Sequence, residues 1–413
     1  MSPRGGVMLI QRKRLLDALV RYRHKDLVKI ITGVRRSGKS VLLNELFYHY
    51  LIDDGVQADH ILKIAFDMKK WEHLRDSGHL YSYLLSQFAD DDKYYLFLDE
   101  IQMVDGFEEV LNEIRSEYNT DIYVTGSNSK LLSSDINTIF RGRGMEIKCF
   151  PLSFQEFHSF RGGDARESLD EYMFFGSLPY TVTEPDTTNK RDYLDMVANT
   201  VITRDMIDRY DIRNESLFRG VIRLLCSSIG SAVSANNIAN ILKSNGYKTV
   251  DNETVDRYLQ HVTDAFLFYK ADRYDIKGKV YLKTRQKYYV CDMGLRNALI
   301  LYRQLELSRA IENIIYVELL RRGYAVDIGK NRDKEIDFIA RDMEGRRNYI
   351  QVSFSIENPS VKERELSSFH GLDDGYKKIL ITMDRTPFSN LEHGYRLLTV
   401  LDFLLSDDSI EQA

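Results

Sequence analysis

The sequence has 413 residues, of which 43% are hydrophobic and 29% charged, and its formal net charge is −5. This length suits two or three domains, the composition excludes a largely disordered chain, and the net charge gives no overall signal for nucleic acid. Three widely separated cysteines exclude a disulfide framework and a CxxC metal site; the first residues lack a signal-peptide core, and no apolar run is long enough to cross a membrane. We therefore expect a cytoplasmic protein without membrane contact.

The first 150 residues alternate short apolar runs with helical patterns, after a leading helix predicted at 12–23. The runs that read as buried strands lie at 27–32, 61–66, 94–99, 121–125 and 145–150. Strands alternating with helices predict an α/β fold, in which a parallel sheet carries helices on both faces.

A phosphate-binding loop is predicted by "ITGVRRSGKS", which follows the first strand and precedes a helix. Gly33 and Gly38 let the backbone approach phosphates closely, Lys39 is expected to reach the β- and γ-phosphates, and Ser40 is expected to hold Mg²⁺. The residues predicted to bind ATP are Gly33, Val34, Arg35, Arg36, Ser37, Gly38, Lys39, Ser40 and Val41.

Two acids end the strand "YYLFLD" and its continuation "EIQ". Ligands of parallel α/β sheets bind at the carboxyl ends of the strands, where Asp99 and Glu100 are expected to lie. We predict that Asp99 completes the Mg²⁺ shell with Ser40, and that Glu100 polarises the attacking water.

Two polar loops supply further catalytic candidates. Ser127 or Asn128, after the strand "DIYVT", is predicted to contact the γ-phosphate or to orient water, although a helix cap at Ser127 or Ser129 is the alternative. Arg141 and Arg143, in "FRGRG", are either transition-state arginines or solvated side chains of a glycine-rich loop.

The motifs "GVRRSGKSVLL", "YLFLDEIQ", "YVTGSNSKLL", "FRGRG", "PLSFQEF" and "FGSLPYTV" follow one another along the chain. Their order resembles that of a family of prokaryotic AAA-type ATPases, which carry a C-terminal domain of unknown function with a restriction-endonuclease-like fold. The resemblance implies a P-loop ATPase domain at 1–150 that uses ATP and Mg²⁺. It is compatible with a homo-oligomeric ring, in which Arg141 or Arg143 acts on a neighbouring subunit's nucleotide, and with a monomer.

The middle of the chain is predicted to be a helical lid segment at 151–216, followed by a winged-helix-like domain at 217–300. Residues 217–290 contain 12 Lys/Arg against 6 Asp/Glu, a balance of +6 that favours contact with DNA backbones. Packing or subunit contact is the alternative. The residues predicted to touch DNA are Lys248, Thr249, Asn252, Arg257, Lys277 and Lys279.

Residues 301–413 begin with a helix at 309–320 and continue with three strands, a layout that resembles a PD-(D/E)xK nuclease core. Such a core needs a helix acid, here Glu312 or Glu318, and Asp337 matches its first strand acid. Gln351 stands at the second acid and Ser353 at the lysine, so neither supplies the required charge. We therefore predict a degenerate nuclease-like domain, unless Lys330 or Lys334 substitutes for the missing lysine.

Three functions follow from these patterns. The first is an ATPase that couples Mg-ATP hydrolysis to action on a DNA or protein partner. The second is a nucleotide-gated binding or regulatory module with negligible turnover. The third, which the residues at 351 and 353 argue against, is a metal-dependent nuclease acting through Asp337.

Overall fold

The computed structural model describes residues 9–127, 140, 142–247, 250–301, 306–385, 389–390, 394–406 and 410. The chain divides into two compact units, the first formed by Met1–Pro151 with Asp264–Phe266 and the second by Leu152–Thr263 with Leu267–Ala413. Within the described ranges, no helix combines the length and the apolar character needed to cross a bilayer.

A five-stranded parallel sheet forms the centre of the first unit, with the strand order β2-β3-β4-β1-β5. Its strands are β1 (Val28–Thr32), β2 (Ile61–Ala65), β3 (Tyr94–Asp99), β4 (Thr120–Gly126) and β5 (Gly144–Lys148). Every residue of β1 and of β3 is buried, as expected for strands covered on both faces. The predicted parallel α/β core is confirmed.

Helices cover both faces of this sheet, because alternate side chains of each strand point to opposite sides. Val28, Leu96 and Val124 belong to one apolar cluster, whereas Phe97 and Tyr123 belong to another. The helices are α1 (Lys13–Tyr22), α2 (Lys39–Val41), α3 (Tyr48–Asp53), α4 (Ser77–Gln87) and α5 (Phe107–Glu117); a π-helical segment (Leu42–Phe47) joins α2 to α3, and short 3-10 turns occupy Ala58–His60, Lys69–Arg75 and Ile101–Met103.

A buried ion pair links two neighbouring strands of the first unit. The Lys29 ammonium on β1 donates to the Asp121 carboxylate on β4, and both side chains are essentially inaccessible to solvent. Asp121 also accepts hydrogen bonds from the backbone N–H of His24, at 3.0 Å, and from the hydroxyl of Tyr123, at 3.1 Å. Burial lowers the pKa of Lys29, and the charge of Asp121 opposes that shift.

The second unit is helical before its sheet begins and contains further helices between its strands. The helices are α6 (Phe154–Arg161), α7 (Ala165–Phe175), α8 (Pro179–Thr183), α9 (Thr187–Ile202), α10 (Glu215–Ser227), α11 (Ala235–Ser244), α12 (Asn252–Asp264), α13 (Met293–Leu299), α14 (Leu307–Arg321), α15 (Pro359–Leu366) and α16 (Val400–Leu405). The first of them starts with a capping box in which Ser153 and Glu156 satisfy each other's backbone N–H groups.

A nine-stranded mixed sheet runs through the second unit, in the order β13-β14-β12-β11-β10-β9-β7-β8-β6. The strands are β6 (Ala232–Val233), β7 (Phe268–Asp275), β8 (Val280–Val290), β9 (Ala325–Asn331), β10 (Lys334–Arg341), β11 (Arg347–Ser353), β12 (Lys377–Thr382), β13 (Ser389–Asn390) and β14 (Arg396–Thr399). The hairpin β7-β8 turns where Asp275 accepts the Gly278 N–H at 3.0 Å. Because β7 also pairs in parallel with β9, the segments on either side of residue 300 share one sheet.

Candidate functional site

The loop between β1 and α2 has the backbone that a phosphate cradle requires. Gly33 and Gly38 adopt φ values of 146° and 99°, in the region that favours glycine. A Cβ atom at Gly33 would lie 2.2 Å from the carbonyl oxygen of Cys149, so any side chain there would displace the adjoining backbone. Both predicted glycine positions are therefore dictated by local geometry.

Arg12, which lies outside the phosphate loop, holds the loop in position. No sequence motif indicated this residue. Arg12 is buried and donates from one guanidinium nitrogen to the Ser37 carbonyl, at 3.1 Å, and from another to the Phe150 carbonyl, at 2.9 Å. Val34 and Ser37 are fully buried. Two long-range hydrogen bonds from one side chain therefore hold the loop against the chain segment that follows β5.

The other loop residues differ in exposure. Arg36 is exposed and has a φ of 68°, and Arg35 is half-buried. Ser40 and Val41 start the helix on its exposed side. The predicted ATP-binding role of these four residues stays a prediction.

Lys39 is buried at the start of α2, and its ammonium donates to the carbonyls of Gly33, at 2.8 Å, and Val34, at 3.1 Å. These carbonyls belong to the same loop whose amides are expected to face phosphate oxygens. An ammonium on a flexible stem can exchange such carbonyl acceptors for phosphate oxygens without moving the backbone. Lys39 therefore lies where the phosphate-loop pattern requires it.

Asp99 is the last residue of β3 and Glu100 follows it, and β4 separates this strand from β1. Asp99 is buried; it accepts hydrogen bonds from the hydroxyls of Thr125 and Ser40. Burial raises the pKa of Asp99, the two hydroxyl groups oppose that shift, and the charge of Glu100 adds to it. A cation placed at this carboxylate would relieve the same cost of burial.

The oxygen ligands at this edge fit Mg²⁺. The hydroxyl of Ser40 and the carboxylate of Asp99 are hard donors that already contact each other. Mg²⁺ commonly takes only one or two protein ligands beside phosphates and water, so this pair suffices. The sequence-predicted metal ligands are brought together.

Glu100 has a left-handed backbone, with φ 55°, and its N–H donates to the Thr125 hydroxyl at 3.1 Å. The Ser127 hydroxyl lies 3.3 Å from Oε2 of Glu100, and the Gln102 amide nitrogen donates to the same oxygen. Asn128 lies outside the described residues. Thr125 and Gln102 are contacts that the sequence reasoning missed, although both occur in the strand and motif that it quoted.

Arg143 lies far from the phosphate loop within the first unit. Its carbonyl accepts from the N–H of Val28, at the amino end of β1, whereas the loop follows the carboxyl end. A strand of this length separates the two by roughly 16 Å. The half-exposed guanidinium contacts Asp26 at 3.2 Å. Arg143 thus has no part in a site formed by this chain's own loop, and Arg141 lies outside the described residues.

A second polar cluster occupies the second unit around Asp337. Asp337 accepts the Val352 N–H at 2.9 Å, and Lys287 donates to Glu312 at 3.0 Å and contacts Glu335 at 2.9 Å. Burial, followed by the charge of Glu312, raises the pKa of Asp337 to about 8, and Lys287 opposes the shift. Of the two helix acids considered, Glu312 is the one beside Asp337.

The other candidates form further contacts. Within the described part of the chain, only Gln351 among them also has a hydrogen bond with Asp337, whose N–H donates to the Gln351 side-chain oxygen at 3.3 Å. Glu318 is buried and forms ion pairs with two arginines that follow it on or next to α14. The Gln351 amide donates to Glu365 at 2.8 Å, and the Ser353 hydroxyl donates to the Ser355 carbonyl at 3.0 Å. Lys330 contacts Asp275 at 3.7 Å. The buried ammonium in the cluster comes instead from Lys287 on β8, which no motif signalled.

Some of the basic residues in 217–290 form contacts within the second unit. Arg273 pairs with Glu335 at 3.6 Å, Lys270 with Asp272 at 3.1 Å, and Lys287 is buried. Asp251 accepts the Thr254 N–H at 2.6 Å and so caps helix α12. The exposed candidates for DNA contact are Asn252, Arg257, Lys277 and Lys279, whereas Lys248 and Thr249 lie outside the described residues.

Residues 25–158 match the AAA_14 family, described as an AAA domain, and residues 166–306 match DUF8612, a domain of unknown function. The second match ends before the helix and strands that carry Glu312 and Asp337. The parallel sheet, the phosphate loop and the AAA-domain match together define the class of this part of the chain: residues 25–158 form an AAA-type P-loop domain with a nucleotide-binding, ATPase-like site.

The chain belongs to the same family as an uncharacterized protein of Haemophilus influenzae, to which it is 37% identical over 403 residues, or 96% of this chain and 99% of that one. An uncharacterized protein of Methanocaldococcus jannaschii is 28% identical over 395 residues, which cover 91% of this chain and 85% of the relative. A Walker-type ATPase of Pyrococcus abyssi has a similar fold, with a TM-score of 0.50 at 13% identity, covering 70% of this chain and 96% of its own.

Proposed function

We propose that the protein is a cytoplasmic, Mg²⁺-dependent ATPase of the AAA type that couples ATP hydrolysis to action on a DNA or protein partner. The observation that carries this proposal is the convergence of a phosphate loop, Lys39, Asp99 and Glu100 at the carboxyl edge of one parallel sheet. Each of these four groups has a separate part in phosphoryl transfer.

The loop binds the phosphates of ATP through its backbone N–H groups and through Lys39, whose ammonium leaves the Gly33 and Val34 carbonyls for phosphate oxygens. Ser40 and Asp99 would hold Mg²⁺, which supplies positive charge against the phosphate oxygens. Arg12 keeps the loop in place during this exchange, because its contact is to the Ser37 carbonyl and leaves the loop amides available.

Glu100 accepts a proton from the attacking water. The oxygen of that water bonds to the γ-phosphorus while the bond to the β-γ bridging oxygen breaks, and ADP and phosphate are the products. Ser127 steadies the Glu100 carboxylate from the end of the neighbouring strand β4. We therefore assign phosphate binding to the carboxyl end of β1 and proton transfer to the carboxyl end of β3.

The experiment is phosphate release by the purified full chain with Mg-ATP. Lys39→Ala is expected to abolish binding of a fluorescent ATP analogue, and Glu100→Gln to retain binding while turnover falls about 10²- to 10⁴-fold. Lys69→Ala, at a lysine whose side chain is 95% exposed, serves as the matched control and should behave like the wild type. Equal ATP-dependent rates for wild type and Lys39→Ala would refute the proposal.

A second candidate is a nucleotide-gated binding module with negligible turnover. The observation that favours it is that the Lys39 ammonium donates to carbonyls of its own loop, acceptors that phosphate oxygens would replace. Glu100→Gln separates the candidates: in an ATPase it should trap bound ATP, whereas in a switch that does not hydrolyse ATP it should leave ATP-dependent partner binding unchanged.

The partner proposal concerns DNA contact through residues 217–290. Its support is the local balance of +6 and the exposure of Arg257, Lys277 and Lys279. Lys277→Ala with Lys279→Ala is expected to weaken duplex binding and to lower the salt dependence by about one unit per lost phosphate contact. Lys13→Ala with Lys69→Ala removes the same charge from exposed positions of the first unit and is the control. Unchanged DNA binding in the first pair would favour a protein partner.

We further propose that the segment 301–413 has a restriction-endonuclease-like fold that has lost cleavage. Its support is the succession of helix α14, the antiparallel strands β9, β10 and β11, helix α15, and β12 parallel to β11. The neutral Gln351 and Ser353 supply neither the second acid nor the lysine. No cleavage of DNA or RNA is expected with Mg²⁺ or Mn²⁺, and cleavage that Asp337→Ala abolishes would contradict this.

The last part of the proposal is a homo-oligomer in which Arg143 or Arg141 approaches a neighbouring subunit's nucleotide. The position of Arg143 at the amino end of the sheet supports action in trans over action in cis. Mass measurement with and without a non-hydrolysable ATP analogue tests the assembly. A monomer under both conditions would exclude a role in trans for either arginine.

A further inference from the structure

Gln102 lies in the short turn that follows β3, and nothing above assigns it a role in the reaction. The 3-10 turn Ile101–Met103 begins directly after Glu100, whose φ of 55° reverses the chain at the end of the strand. The Met103 N–H donates to the Glu100 carbonyl at 3.1 Å and closes the turn. The reversal places the Gln102 side chain beside the Glu100 carboxylate.

Two donors meet on one oxygen of Glu100. The Gln102 amide nitrogen donates to Oε2, and the Ser127 hydroxyl lies 3.3 Å from that same atom. The backbone N–H of Glu100 donates to the Thr125 hydroxyl, which fixes the residue to β4 as well. Within the described part of the chain, Oε1 receives no donor, so it is the oxygen left to accept a proton.

The other end of the Gln102 amide has the complementary property. Its Oε1 atom is buried and accepts no hydrogen bond from any of the described residues. Leaving a buried acceptor without a donor is costly, and such atoms in native structures commonly mark a place where water or a ligand donates. The amide therefore presents an acceptor next to the carboxylate that its nitrogen holds.

We propose that Gln102 is a positioning residue for ATP hydrolysis: its amide nitrogen fixes Glu100, and its carbonyl oxygen accepts one hydrogen of the attacking water. This inference rests on the ATPase function proposed above. The water's other hydrogen faces Oε1 of Glu100, which takes it as a proton, and Gln102 itself gains and loses none. A neutral amide suits this place because it orients the carboxylate without adding charge beside Asp99 and Lys39.

The test is single-turnover hydrolysis and nucleotide affinity of Gln102→Met, which keeps the length of the side chain but removes both polar atoms. We expect the hydrolysis rate to fall about 10- to 100-fold, a part of what a positioned general base contributes, while the dissociation constant for ATP changes less than about twofold. Gln87→Met, at a half-buried glutamine of α4 near the amino end of β3, is the matched control.

A double-mutant cycle separates positioning from general damage. If the Gln102 amide fixes Glu100, then Gln102→Met should cause a much smaller loss when it is added to Glu100→Gln than when it is made in the wild type. Gln102→Glu provides a second variant of nearly unchanged shape, which replaces the donor with a second carboxyl group beside Glu100 and is expected to lose rate as well. Additive losses in the cycle, or a rate loss accompanied by an equal loss of ATP affinity, would overturn the inference.

The two proposals fail in distinguishable ways. A wild-type protein that releases no phosphate refutes the ATPase function itself. A wild-type protein that hydrolyses ATP, beside a Gln102→Met variant that does so at the same rate, refutes only the role of Gln102.

Discussion

Replacing Lys287 with methionine should destabilise the second unit strongly, because this lysine is the buried cation of a carboxylate cluster. Its side chain is 5% exposed and lies 3.0 Å from Glu312 and 2.9 Å from Glu335. Burial alone lowers the pKa of Lys287, but the charges of Glu312 and Asp337 outweigh it, so the pKa is raised. The ion pairs therefore stabilise the folded state throughout the neutral range.

The expected loss of stability follows from the carboxylate that Lys287→Met leaves without its cation. Methionine fills the space but leaves Glu312, whose side chain is 15% exposed, without its cation and near Asp337. Breaking one partner of a buried ion pair costs about 3–5 kcal/mol. The loss should be larger at pH 8 than at pH 5, because acid protonates carboxylates that have lost their cation. Adding Glu312→Gln to Lys287→Met should recover much of the loss.

The assay is urea unfolding followed by hydrogen exchange of peptides from β8 and α14, which reports on the second unit separately. Lys270→Met removes a 42% exposed lysine from the neighbouring strand and should cost less than about 1 kcal/mol. If Lys287→Met is as stable as Lys270→Met at pH 8, the cluster does not depend on its buried ammonium and the reasoning is wrong.

Three further predictions concern the loop and the buried acids. Gly33→Ala should abolish binding of an ATP analogue, because its Cβ would meet the Cys149 carbonyl at 2.2 Å, while Gly55→Ala, also at positive φ but in open space, should bind normally; equal affinities would contradict this. Asp121→Ala should lower the free energy of unfolding of the first unit by about 3–5 kcal/mol in urea titrations, since it strands the buried Lys29, and a loss under about 1 kcal/mol would count against it. The Asp337 pKa of about 8 means that the folded protein keeps a proton that the unfolded chain releases near pH 4, so stability should fall as pH rises from about 4 to about 8 and then level off. Asp337→Asn should flatten that decline and Asp373→Asn should not, as measured by urea unfolding at several pH values.

The nucleotide site could be predicted from the sequence because its signals are local. The strand predicted at 94–99 is β3. Gly33, Gly38 and Lys39 fall in a ten-residue pattern, and the strand before this pattern and the helix after it are also predicted from adjacent residues. The phosphate loop needs specific backbone angles and specific side chains at fixed spacing, and a short run of consecutive residues determines both.

The contacts that could not be predicted from the sequence join segments that are distant from each other along the chain. Arg12 reaches carbonyls 25 and 138 residues away, and Lys287 on β8 reaches Glu312 on α14. No spacing rule connects such pairs, because their separation is set by the order of strands in the sheets. The order of strands also explains why strands from both sides of residue 300 share one sheet. Along the sequence, the pattern changes at this residue from a hairpin to a helix and a new set of strands.

The most direct test of the central claim is single-turnover hydrolysis of Mg-ATP by the full chain, compared among wild type, Lys39→Ala and Glu100→Gln. The structure predicts phosphate release by the wild type, loss of ATP binding in Lys39→Ala, and bound but uncleaved ATP in Glu100→Gln. Phosphate release at the wild-type rate by either variant would contradict the assignment of this sheet edge as an ATPase site.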